Sequence, residues 1–238
     1  MRWLRIAALL LALAGGCAAQ TVVQSACDAI SSGGVTSTTL TFGSAVTAGD
    51  LIVAFGGYGS SGTIGLSDSR ANSYTQDAGA HYYSNLWYAA NVSGGSDTLT
   101  MTDTSSGTYS WCIAEISGAA TASPLDASGY LGGSGSVNTT PTVTTANADD
   151  IIIAGYAEPY SSDNTGTITV GSPYTMASTV AKAAIASQSV TSAGSVTGAT
   201  FTSQYGGYPS LATAAFKKAS GPVSTCDHAI SLLGAGCS

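Results

Sequence analysis

Thr47-Ala48-Gly49-Asp50-Leu51-Ile52-Val53-Ala54 and Asn147-Ala148-Asp149-Asp150-Ile151-Ile152-Ile153-Ala154 align without a gap, one hundred residues apart. Each is a short uninterrupted apolar run entered through an acidic turn, which is the pattern of a strand buried on both faces. More matches follow in the same order. Gly62-Thr63-Ile64 answers Gly166-Thr167-Ile168, and Ser73-Tyr74-Thr75 answers Pro173-Tyr174-Thr175. The stretch Tyr109-Ser110-Trp111-Cys112-Ile113-Ala114-Glu115-Ile116 answers Pro209-Ser210-Leu211-Ala212-Thr213-Ala214-Ala215-Phe216. Four matches in one order indicate two sequence repeats of about 100 residues, best delimited at 35–118 and 137–218.

Around these runs the period is that of strands. Thr36-Ser37-Thr38-Thr39-Leu40-Thr41-Phe42 and Thr98-Leu99-Thr100-Met101-Thr102 alternate, and Gly/Ser/Asp clusters such as Ser93-Gly94-Gly95-Ser96-Asp97 punctuate them. Residues 177–186 form the one weak helical stretch. The expected fold is all-β, a sandwich or jelly roll, with either one sandwich per repeat or both repeats interleaved in one. The expected organisation is 1–19 leader, 20–128 first repeat, 129–136 (GYLGGSGS) flexible connection, 137–218 second repeat and 219–238 C-terminal tail. Trp87 and Trp111 fall in strands and are expected in the core.

Residues 1–5 carry two arginines, 6–14 are apolar and 15–19 are small, which reads as a secretory signal. Cleavage after Ala19 would leave a secreted protein. Alternatively, Leu13-Ala14-Gly15-Gly16-Cys17 resembles a lipobox, and a lipidated Cys17 would anchor the chain at a bacterial cell envelope. An oxidising compartment makes disulfides the expected state of Cys27, Cys112, Cys226 and Cys237, favoured as Cys27 with Cys112 and Cys226 with Cys237. Cys226-Asp227-His228 is the weaker, metal-binding alternative.

Ala48-Gly49-Asp50-Leu51-Ile52-Val53, Asp68-Ser69-Arg70-Ala71-Asn72-Ser73-Tyr74, Trp87-Tyr88-Ala89-Ala90-Asn91-Val92, Ala114-Glu115-Ile116-Ser117-Gly118 and Ser123-Pro124-Leu125-Asp126 together resemble a group of secreted bacterial β-sandwich domains. The resemblance implies an extracellular β-sandwich and brings no activity with it.

Only 8% of the 238 residues are charged and the net charge is −7, against about 25% charged in an ordinary soluble domain. A phosphate backbone needs clustered Lys and Arg, so nucleic acid is excluded as a partner. Glu115 and Glu158 are the two glutamates. Glu115 shares a strand face with Trp111 and Ile113, an apolar setting suited to a general acid, although a structural glutamate is the plainer reading. Glu158 reads as a solvated loop acid. The histidines are His81 and His228, and no nucleophile elbow, HExxH or P-loop occurs. Asp68 and Asn72 offer oxygens that would suit calcium, the one cofactor the residues suggest, or else they cap their own turn. Tyrosines beside Gly or Pro, namely Tyr58, Tyr130, Tyr156, Tyr160, Tyr205 and Tyr208, read as loop rings suited to stacking on sugars.

The leading expectation is an extracellular non-catalytic binding or adhesion protein for a polysaccharide or a cell-surface protein, with Tyr58, Tyr156, Tyr160, Tyr205 and Tyr208 as ligand residues. The alternative is a filament or matrix subunit that polymerises with its own kind by strand pairing, for which Ala229-Ile230-Ser231-Leu232-Leu233 would serve. A glycan-active enzyme using Glu115 comes third.

Overall fold

The structure is a computed structural model that describes residues 19–77, 84–160 and 166–220, with the backbone alone at 30–33 and 205. Sixteen β-strands run through the described residues, and no helix does. In the first half these are β1 (Thr21–Thr41), β2 (Leu51–Tyr58), β3 (Ile64–Asp68), β4 (Thr75–Gln76), β5 (Ser84–Ala89) and β6 (Thr98–Ser117). The second half has β7 (Leu125–Gly132), β8 (Gly135–Thr139), β9 (Val143–Thr145), β10 (Ile151–Ala157) and β11 (Ile168–Val170). It closes with β12 (Thr175–Val180), β13 (Ala183–Ser189), β14 (Gly194–Val196), β15 (Thr200–Gly207) and β16 (Ser210–Phe216).

Both halves are threaded in the same order. One central sheet runs β1-β6-β2-β5-β4 and the other runs β7-β16-β10-β13-β12, all antiparallel. The registers agree as well, since Leu51 faces Ile116 where Ile151 faces Phe216, and Gly57 faces Ser110 where Ala157 faces Ser210. The long strands β1 and β6 bend and continue as an outer layer with β3, whereas in the second half the same path is broken into β7 then β8, and β15 then β16. Pro209 accounts for the second break, because it has no N–H to give to a continuing ladder.

The result is a four-layered all-β sandwich with three cores. Leu51, Val53 and Phe55 on one central sheet meet Ile151, Ile153, Ala214 and Phe216 on the other. The opposite faces of the same strands, Ile52 and Ala54 or Ile152 and Ala154, pack under their own outer layers against Trp87 and Trp111 or Tyr174 and Phe201. This is why the deciding runs lack alternation: both faces of β2 and β10 are buried. Each half therefore has its own sandwich, and the two sandwiches join through their central sheets. At the join Gly155 leaves a hollow that the Phe55 ring fills, so closely that a Cβ on Gly155 would strike it.

Two expectations need correction. Residues 129–136 are no flexible connection, because Gly129–Gly132 ends β7 on β16 and Gly135 begins β8 on β15. The second half starts with β7 at Leu125, and Gly-rich composition there serves an edge strand. Residues 177–186 form the β12–β13 hairpin around Ala181 and Lys182, since Ala183–Ala186 is apolar on both faces and fits a buried strand.

Cys27 faces Cys112 across β1 and β6, and the two form a disulfide with a Cα–Cα separation of 4.0 Å. A disulfide of this kind fits an oxidising compartment. Cys17, Cys226, Cys237, His81 and His228 lie outside the described residues.

Candidate functional site

β10 ends at Ala157, and Pro159 then turns the chain away. Glu158 still pairs with the neighbouring hairpin, its N–H donating to the Lys182 carbonyl at 2.9 Å. Its carboxylate points inward, accepting from Tyr156 Oη at 2.9 Å through Oε2 and from the backbone N of Tyr208 at 3.2 Å through Oε1. Gly207 admits this approach, because a Cβ there would fall onto Oε1. Lys182 is only 1% exposed and Glu158 4%. Burial pushes the Lys182 ammonium down, with the Glu158 charge acting against it. Burial and the same charge push the Tyr156 phenol above its ordinary range.

This buried cluster carries two exposed rings. Tyr208 is 74% exposed and Tyr160 50%, and both sit on backbone held by Glu158, one through its own N–H and the other two residues along the chain. Thr108 Oγ1 of the first half donates to the Pro159 carbonyl, which ties the turn to the rest of the molecule. The backbone of both turns is thus held from beneath while Tyr160 and Tyr208 stand exposed.

The remaining sequence candidates separate clearly. Tyr58 and Tyr156 are not loop residues: Gly56-Gly57 and Gly155 lie inside strands, and both rings are fully buried. Tyr58 Oη donates to the Met101 carbonyl at 3.2 Å. Neither ring can meet a ligand. Tyr130 stands half-buried in β7 and its hydroxyl donates to Asp77 Oδ2 at 2.6 Å, so it ties one half to the other. Tyr205 is placed in β15, with its side chain outside the described residues. Glu158, expected in water, is buried as described.

Asp68 and Asn72 do meet, as a turn closed on itself. Asp68 Oδ1 accepts from the N–H groups of Arg70 and Asn72, and Oδ2 accepts from Asn72 Nδ2 at 2.7 Å and Tyr74 Oη at 2.9 Å. Burial would raise the Asp68 pKa, but the bonds from Asn72 and Tyr74 outweigh it and hold it low. Asn72 turns its amide hydrogens to Asp68 and gives its oxygen to the Ser93 N–H.

Glu115 is fully buried on the face with Trp111 and Ile113. Oε1 accepts from the Thr47 N–H at 2.7 Å and Oε2 from Gln24 Nε2 at 2.5 Å. Asp50 bonds to it as well, and burial together with the Glu115 hydrogen bond and charge pushes the Asp50 carboxyl up to about 6. In the second half burial and the nearby Asp126 push Asp150 up to about 7. Asp126 itself accepts from the N–H groups of Ala146 and Asn147. Sequence reading passed over these pairs, although Asp50 and Asp150 stand at matching places in the repeated stretch. Glu115 and Asp126 each lock the turn that enters a central strand.

A groove of about 640 Å³ opens at the other end of β10, between the start of β1 and the β12–β13 hairpin. Gln24, Thr175, Gln188 and Ser189 line it with Val22 and Met176, and no charged side chain is in its lining. Glu115 does not line it. No protein-family model, curated protein or solved structure matches the chain.

Proposed function

We propose that the protein is an extracellular, non-catalytic binding protein that holds neutral glycans on Tyr160 and Tyr208. The observation that carries this reading is the exposure of Tyr160 and Tyr208 on turns whose backbone the buried Glu158 holds, as its own chain neighbour and through the Tyr208 N–H. The apolar faces and polar tips of tyrosine rings suit the alternating faces of a sugar. The sparse charge of the chain fits an uncharged ligand. The secretory signal read in residues 1–19 and the Cys27–Cys112 disulfide support the location.

Titration of the mature, oxidised protein with a panel of neutral polysaccharides, read by tyrosine fluorescence and calorimetry, tests it. Tyr160→Ala and Tyr208→Ala are each expected to weaken binding about tenfold, equivalent to about 1.4 kcal/mol, with unfolding temperatures unchanged. Wild-type protein that binds none of the panel, or binds equally well without both rings, overturns the reading.

A further inference from the structure

The join between the halves has two seams. Along one, residues 21–25 of β1 and 175–177 of β12 wall the groove. Along the other, β7 approaches the residue that follows β4, Tyr130 reaching Asp77. Because both halves are threaded alike, the registers say which residues of the two seams correspond. Tyr88 faces Val53 where Ser187 faces Ile153, and Thr75 faces Tyr88 where Thr175 faces Ser187, so Asp77 corresponds to Ala177. Tyr130 faces Ala212 where Cys27 faces Cys112, and Ala212 and Cys112 in turn face Gly155 and Phe55.

The second seam is filled by its own side chains. Tyr88 and Tyr130 pack on the core shared by the two central sheets, the Tyr88 ring meets Phe216 edge-on with centroids 5.7 Å apart, and the Tyr130 hydroxyl donates to Asp77 at 2.6 Å. At the matching places of the first seam, Ser187 and Ala177 line the groove and Cys27 is drawn into its disulfide with Cys112. Two rings and a carboxylate are replaced by a hydroxyl, a methyl and a crosslinked sulfur. The groove of about 640 Å³ is the space they give up, and it falls in the size range of small-molecule sites.

The lining says what would fill it. Val22, Ile151 and Met176 supply apolar surface and Gln188 and Ser189 supply polar atoms, with no charged side chain to compensate a buried ion. Gln20 belongs to the same lining and is 5% exposed. Its Nε2 donates to the carbonyls of Phe216 and Lys217, while its Oε1 has no partner among the described residues. A buried acceptor left without a donor is costly, and a bound hydroxyl would relieve it.

We propose that this groove binds a neutral phenol, its ring taking the place that tyrosine rings hold in the opposite seam and its hydroxyl donating to Gln20 Oε1. The site lies at the far end of β10 from Tyr160 and Tyr208 and does not depend on the glycan reading. The same chemistry is offered by a free phenolic compound and by a tyrosine within a peptide.

Titration of the mature, oxidised protein with p-cresol and with N-acetyltyrosinamide, read by calorimetry and by amide shifts in nuclear magnetic resonance, tests the proposal. Binding is expected to move the amides of 22–25 and 175–177. Tighter binding of p-cresol assigns the site to free phenols, and tighter binding of N-acetyltyrosinamide assigns it to peptides. The O-methylated analogue p-methylanisole, which has no hydroxyl to donate, should bind about tenfold more weakly than p-cresol. Ser187→Tyr gives the groove the ring that Tyr88 gives the other seam; it should weaken p-cresol binding by about tenfold or more and unfold at the wild-type temperature or above. Wild-type protein that binds neither probe, or binds p-methylanisole as tightly as p-cresol, overturns the proposal. So does a Ser187→Tyr protein that binds p-cresol as wild type does, or one that unfolds several degrees lower or fails to fold, because the groove then does not accept a ring.

Discussion

Gly155→Ala adds one methyl group at the join between the halves. Its carbon would sit 2.6 Å from Phe55 Cγ and 3.0 Å from Cε1, and closer still to Cδ1. Comfortable carbon contacts begin near 3.5 Å, so the ring would have to retreat by about 1 Å. It has nowhere to go, because Phe55 is buried in the core formed by both central sheets. Overpacking of this kind costs about 1–3 kcal/mol. For a protein of this size each kcal/mol lowers Tm by roughly 2–4 °C, so a loss of about 2–12 °C is expected. Phe55→Leu frees part of the space at its own cost, and the double variant should be more stable than the sum of the single changes by about 1 kcal/mol or more. Urea unfolding followed by circular dichroism, run as a double-mutant cycle, measures both quantities. A Gly155→Ala midpoint equal to that of wild type, or strict additivity with Phe55→Leu, would refute the packing of the two sandwiches through these faces.

Cys27→Ser/Cys112→Ser opens a crosslink that spans 85 residues of sequence, and should cost about 2–5 kcal/mol through greater freedom of the unfolded chain, seen as a lower urea midpoint than in the oxidised wild type. The acid pairs set the pH dependence. Asp50 and Asp150 have folded pKa values raised above their unfolded ones, so their contribution is complete below about pH 4 and is lost as pH rises through about 6 and 7. Asp68 and Asp126 are lowered, so their contribution instead fades on acidification below about pH 4. Thermal unfolding should therefore peak in mildly acidic buffer, and Asp50→Asn/Asp150→Asn should flatten the fall toward neutrality; an unchanged slope counts against the raised acids as its source. Glu158→Gln strands the buried Lys182 charge and should cost about 3–5 kcal/mol, most of it recovered on adding Lys182→Met; a neutral single variant would deny the pairing.

Much of the architecture can be read from the chain because burial on both faces has a sequence signature. Leu51-Ile52-Val53-Ala54 and its counterpart are apolar without alternation, and Cys27 and Cys112 fall on strands that must be neighbours if each half closes first strand on last. Glycine misled the reading elsewhere. Gly56-Gly57 and Gly155 suggested loops at Tyr58 and Tyr156, and Gly129 to Gly135 suggested a linker, yet each glycine lies where another chain segment approaches closely or an edge strand bends. The site was half legible. Tyr160 and Tyr208 are exposed as their Pro neighbours suggested, whereas Glu158 looked like a solvated acid because its partners, the Lys182 carbonyl and the Tyr208 N–H, come from turns distant in sequence. The two carboxyl pairs escaped for the same reason: Asp50 and Glu115 are sixty-five residues apart, and only the folded register brings them together.

Each half is shut by its ends, β1 lying against β6 and β7 against β16. A chain that emerges N-terminus first therefore cannot complete its opening strand until residue 117 has appeared. Such distant pairings make folding slow and late. Once the first sandwich closes, Leu51, Val53 and Phe55 still face water until the second arrives. In that interval the first half presents an apolar face on which copies can associate.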